Sequence, residues 1–442
     1  MTHKENYPKT LIIGVHFSDR SGPGTFLGRL FSAWPVDCLA TISNNPEPPD
    51  WLRCHRHYRT GELKFPFRAL SSKLLSVGRF GAMFPPEMPV ATLGNPTVSS
   101  KLSLIRFIAR GLWRTLLRFT NGGEFLFHVG PSPEQFVWVR EFNPDVLYGH
   151  CSGLNSVLFL RRMQRALGLP LILHVMDDMS DTLYRKGLLA KLLRPRYEVE
   201  FRELIRSTNV TIAICQEMAE EYARRYNCSV MSLPIPVEID IYKAVARTQW
   251  NADKPFRLQF GGRVGWALRD SLADIALAVS RLRKDGSEVV FDLLTFEPES
   301  VPYNCCVSNG VYVKAAVPSV ELPALQAVAD ALVICLDFDP ASILKAKYSM
   351  PSKIAGCLAS GTPILVYGPI GSPVVEYARR ENWGMVVDSR DITALETAIR
   401  ELMNSAELRE QLGRKAKKLA LERHDAKIVS EEIRNILNMV CR

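Results

Sequence analysis

The chain has 442 residues, too many for one ordinary hydrophobic core, so two domains or three are expected. Its 47% hydrophobic and 23% charged residues describe a globular protein and exclude a disordered or fibrous one. The formal net charge of +9 is modest for this length: it suits anionic small molecules or an anionic membrane surface, and no nucleic-acid recognition module accompanies it.

The ten cysteines are scattered, with no CxxC pair, and Cys305 and Cys306 are adjacent, a poor start for a zinc site. Free thiols in a reducing compartment are expected. The opening "MTHKENYPKT" lacks the apolar core of a signal peptide, and no run of about 18 uninterrupted apolar residues exists to span a membrane. These features predict a cytoplasmic protein.

The first element is a buried strand in "TLIIGVHF" (10–17), followed by "SDRSGPG" and a helix in "TFLGRLFSAW". Strand, glycine turn and helix are the layout of a phosphate-binding turn. The glycines are Gly22, Gly24 and Gly28, however, so the third is one residue late for GxGxxG and Leu27 holds its place. The next strand, "CLATISNN", ends in asparagines rather than a ribose-binding acid, which excludes a standard dinucleotide turn. Two readings of Gly22, Gly24 and Thr25 stay open: an anion-favouring helix start lining a cleft, or a plain tight turn.

Residues 46–125 break the pattern and read as an insertion. Within it, Lys101–Phe119 predicts a helix with Arg106, Arg110, Arg114 and Arg118 on one face. Leu102, Ile105, Ile108, Ala109, Leu112 and Leu116 take the other face. Phe107 and Leu117 intrude on the basic side, so a helix lying on an anionic membrane and an ordinary solvated helix are both open.

Beyond the insertion, "PDVLYGH", "LPLILHVM" and "NVTIAIC" read as buried strands, and "GLNSVLFLRRMQRALG" and "QEMAEEYARRYN" as helices. A proline-rich, polar stretch (233–256) marks the domain boundary. After it, "FRLQFGG", "VVFDLLTF", "GVYVKAAV", "ALVICLD", "TPILVYG" and "GMVVD" alternate with "LADIALAVSRLRKDG", "VELPALQAVA" and "PSKIAGCLASG". Near-continuous apolar strands alternating with helices predict an α/β chain of two doubly wound parallel sheets.

Candidate chemistry gathers where strands end. Gly261, Gly262 and Arg263 close one strand, and Arg269 and Asp270 open the next helix. Bare glycines let a ligand approach the backbone, and arginines match phosphate oxygens. Ser349, Pro351, Ser352 and Lys353 form a second basic helix start in the same domain, so a diphosphate site is expected there. In the first half, His150, His174, Asp177 and Asp178 follow strands. A carboxylate or imidazole could deprotonate a hydroxyl, although His174 reads as a core residue and the aspartates also suit helix capping. Asp337 and Asp339 form a DxD, which reads as an ordinary loop at the end of a strand; no other metal constellation exists.

The run "MPSKIAGCLASGTPILVYGPIGSPVVEYARRENWGMVVD", followed by "AIRELMNSAELREQLGRKAKKLALERHD", resembles the C-terminal domain of GT-B-fold glycosyltransferases, particularly family 4 and its neighbours. "LILHVMDDM" is similar to the His-x-x-Asp-Asp stretch of some polysaccharide-assembly transferases, and "TIAICQEMAEEYARRYN" to the helix start after it. The resemblance implies two facing Rossmann-like domains: residues 1–245 for the acceptor, residues 246–425 for a nucleotide-sugar donor, and residues 426–442 as a helix crossing back. It implies phosphate contacts from Gly262, Arg263, Ser352 and Lys353. The family lysine falls on Leu268, one residue before Arg269. His150 would match an acceptor-site histidine. The family's two glutamates, eight residues apart, fall on Tyr348 and Gly356, so both carboxylates are missing.

The implied activity is metal-independent glycosyl transfer of hexosyl type, with retained configuration, from a nucleoside diphosphate sugar to a hydroxyl of a glycan or lipid-linked acceptor. Catalysis would fall to His150, Asp177 and Asp178, and donor binding to Gly262, Arg263, Arg269, Tyr348, Ser349, Ser352 and Lys353. No cofactor beyond the donor is implied. The alternatives are a non-catalytic glycosyltransferase-like binding subunit, favoured by the missing glutamates, and a GT-B-fold sugar nucleotide epimerase, which would need clustered carboxylates.

Overall fold

A computed structural model describes residues 7–19, 21–45, 47–59, 63–64, 128–245, 247–252, 254–265 and 267–442. The helix expected over 101–119 and most of the insertion lie outside the described residues. The chain divides into two compact units. The first comprises residues up to Ala213, with Ala219–Ser232 and Ser430–Arg442; the second comprises Ile214–Met218 and Leu233–Val429.

The first unit holds seven strands: β1 (Thr10–Ile13), β2 (Leu39–Ser43), β3 (His57–Arg59), β6 (Val146–Gly149), β7 (Leu171–Val175), β8 (Val210–Ala213) and β9 (Val230–Ser232). They pair in parallel in the order β3-β2-β1-β6-β7-β8-β9. A separate antiparallel pair joins β4 (Leu63–Lys64), within the stretch read as an insertion, to β5 (His128–Val129), just after it. Strands β1, β2, β6 and β7 are buried along their whole length, as expected of a sheet covered on both faces. From Ser430 onward the C-terminal helix Ala426–Val440 belongs to this unit, where Arg434 donates to the Tyr7 hydroxyl at 3.2 Å.

The second unit holds β10 (Phe256–Gly261), β11 (Val289–Thr295), β12 (Val311–Ala315), β13 (Ala331–Cys335), β14 (Ile364–Tyr367) and β15 (Met385–Val387), all parallel, in the order β12-β11-β10-β13-β14-β15. Phe260, Phe291, Leu293 and Val333 from the sheet pack against Leu272, Ile275, Leu395 and Ile399 from flanking helices. The buried Arg409 donates to the carbonyls of Trp250, Leu402 and Met403 at 2.6–2.9 Å, satisfying carbonyls that a helix end would otherwise orphan. All ten cysteines are free thiols.

Each sheet reverses its strand order once, between β1 and β6 and between β10 and β13. Such a switch point opens a crevice at the strand carboxyl ends, because the following connections leave in opposite directions. The functional question therefore narrows to the residues after those four strands.

Candidate functional site

In the second unit, β10 runs into Gly261 and Gly262. Gly262 has φ +142, a conformation that disfavours any side chain, and a Cβ there would stand 3.7 Å from Lys353 Nζ. Lys353 immediately precedes the helix Ile354–Ser360. Its ammonium lies 3.6 Å from the Phe260 ring centroid and donates to the Gly261 carbonyl at 3.5 Å. Burial pushes the lysine below its ordinary value. No carboxylate among the described residues pairs with this ammonium. A part-buried cation facing a bare backbone turn, held by a ring and one carbonyl, leaves its charge for an anion to meet.

The remaining expected donor residues surround this turn in sequence. Arg263 follows Gly262 and is exposed, and Arg269 is the exposed first residue of the helix Arg269–Lys284. Tyr348, Ser349 and Ser352 lie on the connection between the helix Pro340–Ala346 and Lys353. The Lys347 ammonium lies 4.9 Å from the Tyr348 ring centroid, and Ser349 N–H donates to the Ala346 carbonyl at 3.1 Å. The pair the structure brings into direct proximity is Gly262 and Lys353.

The helix carrying Lys353 is fixed from behind. Trp250 Nε1 donates to the Gly361 carbonyl at 3.0 Å, and a Cβ on Gly413 would stand 2.2 Å from that same oxygen. A Cβ on Gly356 would stand 2.7 Å from the Tyr242 hydroxyl, which itself donates to Gln326 Oε1 at 3.2 Å. A side chain at the position aligned with a family glutamate would therefore have to push the Tyr242 hydroxyl aside.

The DxD carboxylates are spent on helix starts. Asp337 is buried and accepts from Ser271 N–H at 2.7 Å, in the first turn of the helix Arg269–Lys284. Asp339 caps the helix Pro340–Ala346, accepting from Ala341 and Ser342 N–H at 3.0 and 3.2 Å.

In the first unit, the loops after β1 and β6 touch. Gly14 has φ +101, and a Cβ there would stand 1.9 Å from the His150 carbonyl oxygen. His150 N–H donates to the Ile13 carbonyl at 2.8 Å, fixing the histidine at the switch point. Its half-buried ring faces the His174 carbonyl at 3.4 Å through Nδ1, a geometry in which Nδ1–H donates and Nε2 keeps its lone pair. Burial lowers this imidazole below its ordinary value, opposed by the His174 carbonyl and the Asp177 charge. His174 itself is fully buried, bonded through Nδ1 to the Tyr148 hydroxyl and met edge-on by Phe26 at 5.4 Å. It is part of the core.

The two aspartates separate. Asp177 is exposed after β7. Asp178 is buried and accepts from Arg225 through both oxygens at 2.9 and 3.1 Å, from the Tyr222 hydroxyl at 3.0 Å and from Asp181 N–H at 3.3 Å. A carboxylate buried in this way and held by Arg225 and Tyr222 is turned into the protein, so the expected catalytic role for Asp178 gives way to a structural one.

Gly22, Gly24 and Thr25 form the first turn of a helix, Gly22–Leu30, so of the two open readings the helix start is the one present, though its amides are largely taken. Ser21 Oγ accepts from Gly24 N–H at 3.2 Å, the Ser21 carbonyl accepts from Thr25 N–H at 2.9 Å, and Pro23 carries no N–H. Only Gly22 N–H remains of the amides a ligand might have met. Gly24 is needed for packing, since a Cβ there would stand 2.7 Å from Ser18 backbone atoms.

Sequence reasoning missed His16 and His57. His16 is paired through Nδ1 with Ser43 Oγ at 2.5 Å and His57 with Thr41 Oγ1 at 2.6 Å, both fully enclosed. It also missed Arg225 as the clamp on Asp178; a partner 47 residues away leaves no local signal.

Two parallel sheets with these strand orders define the chain as a GT-B fold built of two Rossmann-like units. The solved structures it resembles share that fold. Sucrose-phosphate synthase from Thermosynechococcus elongatus is similar over 98% of both chains, with 11% identity and a TM-score of 0.62. HepE from Anabaena, in complex with UDP and glucose, is similar over 98% of this chain and 100% of its own, with 12% identity and a TM-score of 0.61. WaaG, a glycosyltransferase involved in lipopolysaccharide biosynthesis, is similar over 97% and 99%, with 13% identity and a TM-score of 0.56. No protein-family profile matches the chain, and no curated protein does.

Proposed function

We propose that this chain is a glycosyltransferase that moves a hexosyl group from a nucleoside diphosphate sugar to a hydroxyl of a glycan or lipid-linked acceptor in polysaccharide biosynthesis. One observation carries the reading: the Lys353 ammonium, without a carboxylate partner among the described residues, at the Gly261–Gly262 turn on the switch point of the second sheet. A donor diphosphate supplies the charge that this lysine lacks. The fold it shares with HepE, solved with UDP and glucose and with UDP-glucose, supports that ligand class.

In this reading Lys353, Arg263 and Arg269 stabilise the negative charge that grows on the diphosphate as its bond to the sugar C1 breaks. Gly262 admits the phosphates to the backbone, and Tyr348, Ser349 and Ser352 line the approach. The acceptor oxygen bonds to C1 and gives up its proton. His150, neutral and with Nε2 free to accept, is the base in the first unit, and exposed Asp177 supports it electrostatically. Asp178 positions the segment that carries Asp177. We assign a metal-independent reaction, because the DxD carboxylates cap helices, and, by the family resemblance, a retained configuration, which requires the acceptor oxygen to enter C1 on the face that the diphosphate leaves. The same reading puts the enzyme in the cytoplasm, peripheral to a membrane through Lys101–Phe119. No helix among the described residues is long and apolar enough to cross a bilayer.

Calorimetry with UDP, GDP and their sugars tests this. Lys353→Ala is expected to weaken nucleotide binding about tenfold to a hundredfold, the loss of one charge-assisted contact. Unchanged affinity in that variant would reject the site. Nucleotide binding with no donor hydrolysis or transfer would reject the enzymatic reading and leave a binding subunit without activity.

A further inference from the structure

Of the four strands that end the two parallel sheets, β3, β9 and β15 have three residues each and β12 has five. Phe291 N–H donates to the Gly310 carbonyl at 2.8 Å and Ala316 N–H to the Thr295 carbonyl at 2.9 Å. Between these bonds Phe291–Thr295 runs in register with Val311–Ala315. A parallel ladder uses the backbone of alternate residues, so Tyr312 and Lys314 turn their N–H and C=O groups toward β11, and Val311, Val313 and Ala315 turn theirs outward. Val311 N–H is taken by the Ser308 carbonyl at 3.2 Å; the N–H groups of Val313 and Ala315 have no partner among the described residues.

Edge strands commonly carry a device against pairing, such as a charge standing off the edge, a proline or a bulge. No proline or bulge interrupts β12, and "GVYVKAAVPSV" (310–320) holds one charged residue, Lys314. Its ammonium is drawn inward, to Asp292 Oδ1 at 2.9 Å. The neighbouring Tyr312 is half exposed.

We propose that β12 pairs antiparallel with β12 of a second copy of this chain, joining the two six-stranded sheets across a two-fold axis at Val313. Val313 of each copy exchanges N–H···O=C bonds with Val313 of the other, and Ala315 N–H donates to the Val311 carbonyl across the axis. Tyr312 then stands directly opposite Lys314 of the other copy, an aromatic–cation pair made twice. Sliding the pairing by two residues one way sets Lys314 against Lys314; sliding it the other way carries Ala315 beyond the start of the opposing strand. This self-complementary alternation selects a second copy over a foreign strand. Antiparallel pairing also brings the end of each strand to the start of the other. Val320, 78% exposed, follows the end, and Tyr303 and Val307, 77% and 60% exposed, precede the start. Five paired residues alone bury too little for a stable interface, and this apolar surface adds to them.

Sedimentation of the full chain from micromolar concentrations upward, with amide hydrogen exchange, tests it. Wild type is expected to dimerise, and the Val313 and Ala315 amides to gain protection as it does. Ala315→Pro removes an outward N–H from each copy, and Tyr312→Lys sets lysine against lysine. Each should raise the dimer dissociation constant about tenfold to a hundredfold, with the melting temperature of the dilute monomer unchanged. Both side chains are exposed, and an edge strand tolerates proline where its N–H faces outward, so folding is not at stake. Wild type that stays monomeric at hundreds of micromolar overturns the proposal. So does a dimer that either variant leaves intact, or one in which the Val313 amide exchanges as freely as in the monomer.

Discussion

Acid should unfold the first unit well before carboxylate protonation would. Burial lowers the His16 and His57 imidazoles to about 4 and the His174 imidazole to about 3, against 6.5 for a free side chain. In the folded state all three stay neutral at pH 5, whereas in the unfolded chain they take up protons as the pH drops through 6.5. The stabilisation is therefore complete above 6.5 and is lost as the pH falls from there toward 4. Between pH 7 and pH 5 linkage gives about 2 kcal/mol per imidazole, or about 5–6 kcal/mol for the three. That loss is comparable with the whole stability of an ordinary domain. Glu198, raised by burial, acts in the opposite direction because the folded state binds its proton first, and it offsets part of the loss. Urea unfolding at pH 7, 6 and 5, with imidazole NMR on the folded protein, measures both sides of the balance. A midpoint unchanged between pH 7 and 5, or folded-state histidines titrating near 6.5, would refute the reasoning.

Three pairs of substitutions probe the site by stability. Gly14→Ala meets a backbone oxygen 1.9 Å from its new Cβ at φ +101 and should cost about 3 kcal/mol or more, whereas Gly22→Ala, with open space around it, should stay within about 0.5 kcal/mol; urea midpoints compare them. Asp178→Asn weakens the buried end of the Arg225 cluster, in which Arg225 keeps Asp181 and Glu221, and should cost about 1–3 kcal/mol, while Asp177→Asn on the surface should leave the melting temperature unchanged and act only on transfer. Gly356→Glu should destabilise and restore no activity, and Tyr242→Phe, by removing the hydroxyl 2.7 Å from that Cβ, should recover part of the loss in a double-mutant cycle.

The central strands were legible because a strand covered on both faces must be apolar throughout. "VVFDLLTF" and "TLIIGVHF" announce β11 and β1 for that reason. The one anomaly in "VVFDLLTF", Asp292, is buried between Arg257 and Lys314 at 2.6 and 2.9 Å, partners that no local pattern reveals. The short edge strands β3 and β9 carry polar residues and gave no run to read. Helix Ala190–Ser207 was hidden by Pro195 and by the exposed Leu192 and Val199, which blur the helical period. At the site, the glycines and basic residues after β10 were visible as types. The stacking of Lys353 on Phe260 joins residues 93 apart and appears only when β10 and the following elements are assembled. The split between Asp177 and Asp178 likewise depends on Arg225, supplied by a later helix.

The two units treat charge in opposite ways, and the proposed function rests on that difference. In the first, the helix starts near the strand carboxyl ends are closed by their own side chains: Ser21 on Gly24 N–H, Ser156 on Ser152 and Gly153 N–H, the Tyr184 hydroxyl on Leu154 N–H, Asp178 on Asp181 N–H. A phosphate arriving there would have to displace a satisfied donor pair and would find imidazoles held neutral by burial. Proton transfer needs the reverse, a neutral base with one open lone pair, the part proposed above for His150. In the second unit, β10 ends in a turn stripped of side chains, beside an ammonium that burial disfavours and no carboxylate among the described residues relieves. Such a charge is costly to leave unmet, so the bound anion stabilises the fold as the fold binds the anion. Diphosphate binding by the second unit should therefore raise its melting temperature in proportion to affinity, and Lys353→Ala should abolish that rise while leaving the ligand-free protein as stable or more so.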